Sequence, residues 1–347
     1  MYDFAVFIAR CEPYHFAHQE LKRKGHSIAD HVIMIFGSHR KSPDIRNPFA
    51  HEREEMVRAC STPEESAKTS FIYARDYPYN DGRWLAEVQH KISQVVEDIS
   101  GKPMNENHIA LVGCYSDESS YYLKLFPQFK LEEHTPKSAV HATEIRNLFF
   151  GFPNEDVWQD YVPGGTVQVL NRYKRSSPLY KQLADEYQFI QKYKNDHSFA
   201  TSKPYPPVFV TTDAVVYQSG HVLLIRRGHE PGKGKLALPG GFLGAKEKIK
   251  DSALRELKEE TAIGVPMPVL RSSIVESEVF DHPTRELRGR TITHAFFIKL
   301  PDGELPHVRA GDDAAKAFWM PVSDLELNGE EFYSDHLHIL NRFMSRV

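Results

Sequence analysis

Glu256, Glu259 and Glu260 fall at i, i+3 and i+4 in a segment that reads as a helix from Lys248 to Ala262, so the three carboxylates share one face. Like charges at that spacing destabilise a bare helix, and a hard divalent cation removes the repulsion. Mg2+ takes oxygen ligands from a few carboxylates and from substrate phosphate, polarises a phosphoryl oxygen and acidifies a bound water. A merely solvated acidic face would carry no such chemistry. It would also not explain the residues ahead of it, because Gly241, Glu247 and Arg255 complete the pattern Gly-x5-Glu-x7-Arg-Glu-Leu-x-Glu-Glu.

A second chemical stretch, Arg10-Cys11-Glu12-Pro13-Tyr14-His15-Phe16-Ala17-His18, follows the apolar run Phe4 to Ala9. Two histidines three apart, behind a proline and an arginine, can bind a metal, hold a phosphate, or do neither. Zinc would need further ligands, and no Cys or His pair stands nearby at the usual spacing. A strand, a sharp loop and a helix would instead bring His15, His18 and the helix N-terminal amides together at the edge of a sheet, where phosphate binds. Cys11 reads as a small packing residue.

The elements that must position these groups differ between the two halves. Phe4 to Ala9, His31 to Gly37, Thr69 to Ala74 and His108 to Gly113 are continuous apolar runs, read as buried strands. Phe49 to Ala59 and Arg83 to Ile99 are helical, the latter with Leu85, Val88, Ile92 and Val95 on one stripe. This β-α-β series predicts an α/β fold with a parallel sheet, helices on both faces, and ligands at the C-terminal strand ends. Tyr173 to Tyr193 is again helical, and Lys194 to Pro207 collects the Ser, Thr, Asn and Pro of a junction. Val208 to Tyr217, the turn Gln218-Ser219-Gly220 and His221 to Arg227 then signal a hairpin. One helix and further strands such as Thr291 to Leu300 predict a mixed sheet. The expected division is residues 1–195, a linker at 196–207, and a second domain at 208–347.

At 347 residues the chain has room for two cores. It is 41% hydrophobic and 26% charged with a formal net charge of −4, so it has no general attraction to nucleic acid or anionic membrane. No apolar run reaches the length of a membrane span, and no signal peptide is apparent, so a cytoplasmic location is expected. Cys11, Cys60 and Cys114 suit reduced thiols.

The pattern from Gly241 to Glu260 resembles the Nudix hydrolase box. The resemblance implies an α/β/α sandwich that cleaves a nucleoside-linked diphosphate with Mg2+ or Mn2+. The metal would be held by Glu256 and Glu260 with Glu259 assisting; Glu259 and Glu260 would be catalytic, Arg255 would orient the carboxylates, and Glu247 would contribute at the start. The box's usual glycine near its end is here Ala262, expected to tilt the helix exit without removing a ligand. Val279 to Arg285 and Arg288-Gly289-Arg290-Thr291 resemble the region beside the box in Nudix proteins acting on ADP-ribose. Arg285, Arg288 and Arg290 would pair with phosphate, the alternative being a basic surface loop. Gly311-Asp312-Asp313-Ala314 would bring a further acid.

The opening stretch resembles the phosphate signature of the nucleotidyltransferase superfamily, Gly-Arg-Phe-x-Pro-x-His-x-Gly-His. Arg10, Pro13, His15 and His18 match, while Ala9, Cys11 and Ala17 depart. Asn47-Pro48-Phe49 with Glu52-Arg53 and Met56 resembles nicotinamide mononucleotide (NMN) adenylyltransferases of the archaeal type. Asp76 and Tyr79 to Leu85 are similar to their nicotinamide pocket, with Trp84 stacking on the ring and Asp76 bonding its polar edges. Gly113 and Asp117 to Tyr122 would lie on the adenosine side. Ala142-Thr143-Glu144-Ile145-Arg146 resembles the second phosphate signature, Thr143 capping a helix and donating to phosphate, Arg146 reaching the β and γ groups. Catalysis would be alignment plus charge neutralisation by His15, His18, Arg146 and Mg2+, with Arg10 binding ATP.

Both halves in this order resemble the bifunctional NMN adenylyltransferase and Nudix ADP-ribose pyrophosphatase family: a Rossmann-like transferase domain followed by a Nudix domain. The implied ligands are ATP, NMN, NAD and ADP-ribose, without nucleic acid or membrane, and with homo-oligomerisation left open. Because a Cβ at Ala9 or Ala17 crowds phosphate or resists positive φ, and Gly25 interrupts the following helix at a cost of about 1 kcal/mol, a weakened transferase is expected. Two other readings are a hydrolase with an inert N-terminal scaffold, and an ADP-ribose sensor. The intact box and the lack of a basic recognition helix argue against the sensor.

Overall fold

The computed structural model describes residues 1–115, 118–137, 141–197, 207–311 and 313–346. It forms two compact units, Met1–Asp185 and Glu186–Val347. The first contains β1 (Tyr2–Ala9), α1 (Phe16–Ile28), β2 (Ala29–Phe36), α2 (Arg53–Ala59), α3 (Pro63–Ala67), β3 (Thr69–Tyr73), α4 (Asp81–Ser100), β4 (Ile109–Gly113), β5 (Lys130–Glu133), α5 (Ala142–Gly151), α6 (Gly164–Ser176) and the start of α7 (Pro178–Asp196). Its strands order as β3-β2-β1-β4-β5, every pair parallel. The chain leaves β1 toward β2 on one side and returns to β4 on the other, so the C-terminal end of β1 is the topological switch point where α/β sheets take ligands.

The four expected strands are present, and β5 is a fifth. Its sequence Lys-Leu-Glu-Glu has exposed charged ends and too little apolar character to be read as a strand. Helix α4 starts where the Asn80 side chain accepts from the Arg83 N–H at 2.9 Å and stops at left-handed Gly101. Val88, Ile92 and Val96 are its fully buried residues, packed with Phe4, Val6, Ile33 and Leu111, and Leu85 and Val95 flank them partly buried. Burial on that scale is worth roughly 2 kcal/mol per side chain. Gly25 does not break α1: a Cβ there would lie 3.2 Å from Val32 Cγ2 and 3.5 Å from Ala5 Cβ. The glycine lets the helix seat closely on the sheet. The helical run from Tyr173 is two helices, because Ser177 is extended before Pro178 (φ −80°, ψ 125°), as a residue preceding proline prefers.

The second unit contains β6 (Phe209–Gln218), β7 (His221–Arg227), β8 (Leu236–Ala237), β9 (Gly240–Phe242), α8 (Ile249–Thr261), α9 (Met267–Ser272), β10 (Ile274–Phe280), β11 (Thr291–Lys299), β12 (Ala314–Pro321) and α10 (His336–Met344). The sheet runs β10-β11-β6-β7-β12, with β8 on β7 and β9 on β6. It is mixed, since β11 and β6 are parallel while β10–β11, β6–β7 and β7–β12 are antiparallel. Ser219 and Gly220 make the expected hairpin turn, both with positive φ (45° and 76°), which matches the right-handed twist of the strands. Leu254 and Leu257 of α8 pack onto Ala214, Val216, Leu223 and Ile298 and fix the carboxylate face of the helix away from the core. Among the described residues no helix is long and apolar enough to cross a membrane.

Candidate active sites

The loop between β1 and α1 is held from below by residues far away in sequence. Glu12 is buried, and its carboxylate accepts the Phe49 N–H at 2.7 Å and lies 3.6 Å from Arg53. Arg53 also donates to the Arg10 and Gly37 carbonyls at the ends of β1 and β2. Arg146, on α5, donates to the Glu12 carbonyl at 2.5 Å and to Thr143 Oγ1 at 3.1 Å. The first signature and the second, 134 residues apart, are thereby brought together.

His15 caps α1 at its N-terminus and His18 lies one turn on, the rings 3.8 Å apart. His18 Nδ1 accepts the His15 N–H at 3.4 Å. Burial is the main force on both: it lowers the His15 pKa to about 4, assisted by His141 and Arg146, and the His18 pKa well below its ordinary value, assisted by His15 and Arg10. Both rings are therefore neutral near pH 7 and offer N–H donors rather than charge. The positive charge comes from Arg10, exposed at the strand end, and from buried Arg146.

Around this loop, Asp76 accepts from the Ser38 N–H at 3.0 Å and the Ser38 hydroxyl at 2.7 Å, and a Cβ at Gly37 would lie within 4 Å of both Arg10 and Asp76. Arg10 and Asp76 therefore share one strand end. Asn47 is fully buried, bound to Asp44. Trp84 is half-buried, edge-on to Tyr122 and Phe126 at 6.3 and 5.9 Å, and Tyr122 in turn donates to the Ile8 carbonyl at 3.0 Å. Gly113 has a packing reason of its own, since a Cβ would meet Leu123 Cδ2 at 2.5 Å. The helix cap expected at Thr143 is a correction: His141 occupies the N-cap of α5, leaving the Thr143 hydroxyl to Arg146. Of the adenosine-side stretch, Asp117 lies outside the described residues.

The departures from glycine in the loop carry no conformational penalty, because Cys11, and neither Ala9 nor Ala17, has positive φ (55°). The opposite holds at the box. Ala262 is the left-handed C-cap of α8, with φ 41°, and its N–H still bonds the Lys258 carbonyl at 2.9 Å. The helix exit has the left-handed conformation of a glycine cap, at the expense of a strained alanine.

In the second unit one guanidinium collects the box. Arg255 pairs with Glu247 through two bonds of 2.9 and 3.0 Å, reaches Glu259 at 2.6 Å and lies 2.9 Å from Glu256. Gly241 lies against the Glu256 carboxylate, since a Cβ there would lie 2.5 Å from Glu256 Oε1. Glu260 is buried, and its carboxylate accepts the Gly240 N–H at 2.9 Å. Burial, then Glu256 and Asp213, pushes its pKa up to about 8, and burial also raises that of Glu256. Crowded, desolvated carboxylates of this kind are what a divalent cation relieves. Among the described residues no three His, Cys, Asp or Glu side chains converge as a ready metal cage. Glu256 and Glu260 nonetheless fit a cation that takes few protein ligands and keeps water and phosphate oxygens.

Each of the three arginines beyond the box has a partner within the fold. Arg285 is buried and bidentate to Asp335 at 2.9 and 3.0 Å. Arg288 pairs with buried Glu286 at 3.0 Å and lies over Phe242 and Tyr193. Arg290 donates to the Asp281 carbonyl. Only the Arg285 acceptor, Asp335, is distant in sequence, whereas Arg288 and Arg290 find theirs within the same loop. Asp312 is outside the described residues, and Asp313 is exposed, 3.5 Å from His229. One residue without a sequence assignment emerges: Glu12, whose signal was a carboxylate inside a phosphate motif.

Residues 208–343 match the NUDIX domain family model. The chain is 34% identical over 188 residues to the nicotinamide/nicotinic acid mononucleotide adenylyltransferase of Acinetobacter baylyi, covering 54% of this chain and 94% of that protein. It is 33% identical over 135 residues to the ADP-ribose pyrophosphatase of Methanocaldococcus jannaschii, covering 39% of this chain and 72% of that protein. A crystal structure of a bifunctional NMN adenylyltransferase/ADP ribose pyrophosphatase from Francisella tularensis superposes with a TM-score of 0.90 at 30% identity, over 100% of this chain and 99% of that one. The same protein complexed with AMP and Mn ion gives 0.90 at 29%, over 99% of each. With both signatures assembled and the likeness running the full length, the chain belongs to the family of bifunctional NMN adenylyltransferase/ADP-ribose pyrophosphatase proteins.

Proposed function

We propose that the chain joins NMN to ATP, giving NAD and pyrophosphate, at the switch point of the first sheet, and hydrolyses ADP-ribose to AMP and ribose 5-phosphate at the box of the second. Residues 1–195 and 208–347 would be the two catalytic domains and 196–207 their linker. The observation that carries the first half is the Arg146 bond to the Glu12 carbonyl, which joins two phosphate signatures into one site.

In the transfer, an NMN phosphate oxygen attacks the α-phosphorus of ATP and the bond to the β-phosphate breaks, its electrons leaving with pyrophosphate. No protein nucleophile is required. Arg10 and Arg146 attract the triphosphate, while His15, His18 and Thr143 donate hydrogen bonds to oxygens that gain charge. Asn47, Asp76 and Trp84 hold the NMN end, and Gly113 borders the adenosine.

In the hydrolysis, water attacks one phosphorus of the diphosphate and the bridging P–O bond breaks. A divalent cation, Mg2+ or Mn2+, would be held by Glu256 and Glu260 and would supply charge to the phosphate oxygens and an acidified water. Glu259, the most exposed of the three carboxylates, accepts the water's proton. Arg255 and Glu247 keep that face ordered. Arg288 and Arg290 border the substrate, and we read Arg285 as a structural partner of Asp335.

Purified protein incubated with NMN, ATP and Mg2+, and separately with ADP-ribose and Mg2+ or Mn2+, should yield NAD in the first case and AMP in the second, by chromatography. No NAD under conditions that split ADP-ribose would overturn the transferase half and favour an inert N-terminal scaffold.

A further inference from the structure

The segment that joins β3 to α4 is gripped by a carboxylate of the helix it leads into. Glu87 accepts the Arg75 N–H at 3.2 Å and the Tyr77 hydroxyl at 2.6 Å, so one side chain holds both neighbours of Asp76. Asp76 itself bonds the Ser38 N–H and hydroxyl instead. Tyr77 is fixed at two further places. Its ring carries the Arg83 guanidinium 4.8 Å from the centroid, and its carbonyl accepts the Asn80 N–H at 2.9 Å. Lys91, one turn beyond Glu87, donates to it at 2.7 Å and also to the Tyr73 carbonyl, which ties the helix to the end of β3.

Glu87 also lies one turn after Trp84 on α4. A single carboxylate therefore spans the helix that carries Trp84 and the segment that carries Asp76, the two groups assigned to the nicotinamide end of NMN. The seat of α4 on the sheet does not depend on it. Val88, Ile92 and Val96 are the buried anchor of the helix, whereas the side chains of Glu87 and Lys91 remain 18% and 31% exposed. Burial acts against the Glu87 charge, but Lys91, Tyr77 and the Arg75 N–H outweigh it and lower its pKa, so the carboxylate is ionised and accepts from all three. A ring stacked on one group and bonded at its edge by another tolerates little change in the separation of the two.

We propose that Glu87 is a positioning residue of the transferase reaction, setting the separation of Asp76 and Trp84 so that both engage the nicotinamide ring of NMN. This rests on the transferase reading given above. Glu87 touches no substrate and acts through Arg75 and Tyr77.

The test compares wild type with Glu87→Ala, Glu87→Gln and Tyr77→Phe, with Glu97→Ala as a control that removes an exposed carboxylate of the same helix bonded to Ser93. In NAD synthesis, KM for NMN should rise about 10-fold in Glu87→Ala and about 3-fold in Tyr77→Phe, which deletes one of the bonds. Glu87→Gln keeps an acceptor and should stay within about 3-fold of wild type. KM for ATP, the rate of ADP-ribose hydrolysis and every constant of Glu97→Ala should stay within about 2-fold. A general loosening of the first unit would move both KM values, whereas a displaced nicotinamide pocket moves one. The double variant Glu87→Ala/Tyr77→Phe should be no worse than Glu87→Ala, because the hydroxyl acts through the carboxylate. Should Glu87→Ala fail to fold, Tyr77→Phe decides. A wild-type KM for NMN in the folded variants, or an equal rise in both KM values, would overturn the proposal. If wild type makes no NAD, the transferase reading falls, and calorimetric titration with NMN judges Glu87: weaker binding in the variants supports it, and equal affinity, or none in wild type, rejects it.

Discussion

The N-terminal loop buries two imidazoles, whose charged form burial disfavours, among arginines, whereas the box gathers carboxylates around Arg255 and buries a further one, Glu260. Each places its family motif at the end of a strand, yet one is prepared to receive anions directly and the other to receive them through a cation. The difference teaches where pattern is sufficient. The box is legible because its carboxylates and their organiser, Arg255, lie within one helix and the loop before it. The loop at His15 is not self-contained, since Arg53, Phe49 and Arg146 come from elsewhere to hold it.

The largest test of this contrast is whether the two sites fail separately. Glu260→Gln should lower ADP-ribose hydrolysis on the order of 1,000-fold by weakening cation binding, while NAD synthesis persists. His18→Ala should do the reverse, losing about 100-fold in NAD synthesis as one preorganised donor disappears. Chromatographic assay of both reactions on each variant checks this. Loss of both activities in either variant would show that the comparison of two self-sufficient sites is mistaken.

A second test concerns the arginines beyond the box. Arg285→Ala should cost about 3 to 5 kcal/mol of stability, because it deprives buried Asp335 of its bidentate partner. Urea denaturation measures it. A variant of wild-type stability with a raised KM for ADP-ribose would return Arg285 to the substrate, as its spacing had suggested.

How far the sequence carried the fold can be said element by element. Continuous apolar strands, the α4 stripe and the Ser219-Gly220 turn were readable because each is a local pattern. β5 was not, since an edge strand of four mostly charged residues carries no hydrophobic signal. The α5 cap was misplaced because a threonine is the expected cap and a histidine is not. The role of Arg285 was hidden for a different reason: its partner is decided by tertiary contact, and Asp335 lies 50 residues away.

The electrostatic contrast has a pH signature. His15 titrates at its ordinary 6.5 in the unfolded chain but at about 4 in the fold, so between those values the unfolded chain binds more protons. Its contribution is intact above pH 6.5 and is lost as pH falls toward 4, by up to about 3 kcal/mol. Glu286 acts lower: held at about 2 against 4.5, mainly by Arg288 opposing its burial, it stabilises above pH 4.5 and loses that contribution as pH falls through 2. Denaturation midpoints measured from pH 8 to 4 should fall less steeply for His15→Asn than for wild type. Equal slopes would mean that His15 is not held neutral.

The smallest effect isolates the two glycine replacements that look alike in sequence. At Ala262 the backbone has φ 41°, so a Cβ is strained there and Ala262→Gly should stabilise the protein by about 1 kcal/mol. The gain is limited because glycine also frees the unfolded chain. At Ala17 the residue lies in the first turn of α1 with negative φ, so Ala17→Gly should destabilise by up to about 1 kcal/mol. Opposite shifts in the denaturation midpoint would establish that the box has lost a glycine its backbone still calls for, while the phosphate loop has been rebuilt around alanine. If Ala17→Gly instead raised NAD synthesis several-fold, the methyl group would be crowding ATP, and the weakened transferase expected from the sequence would have its cause.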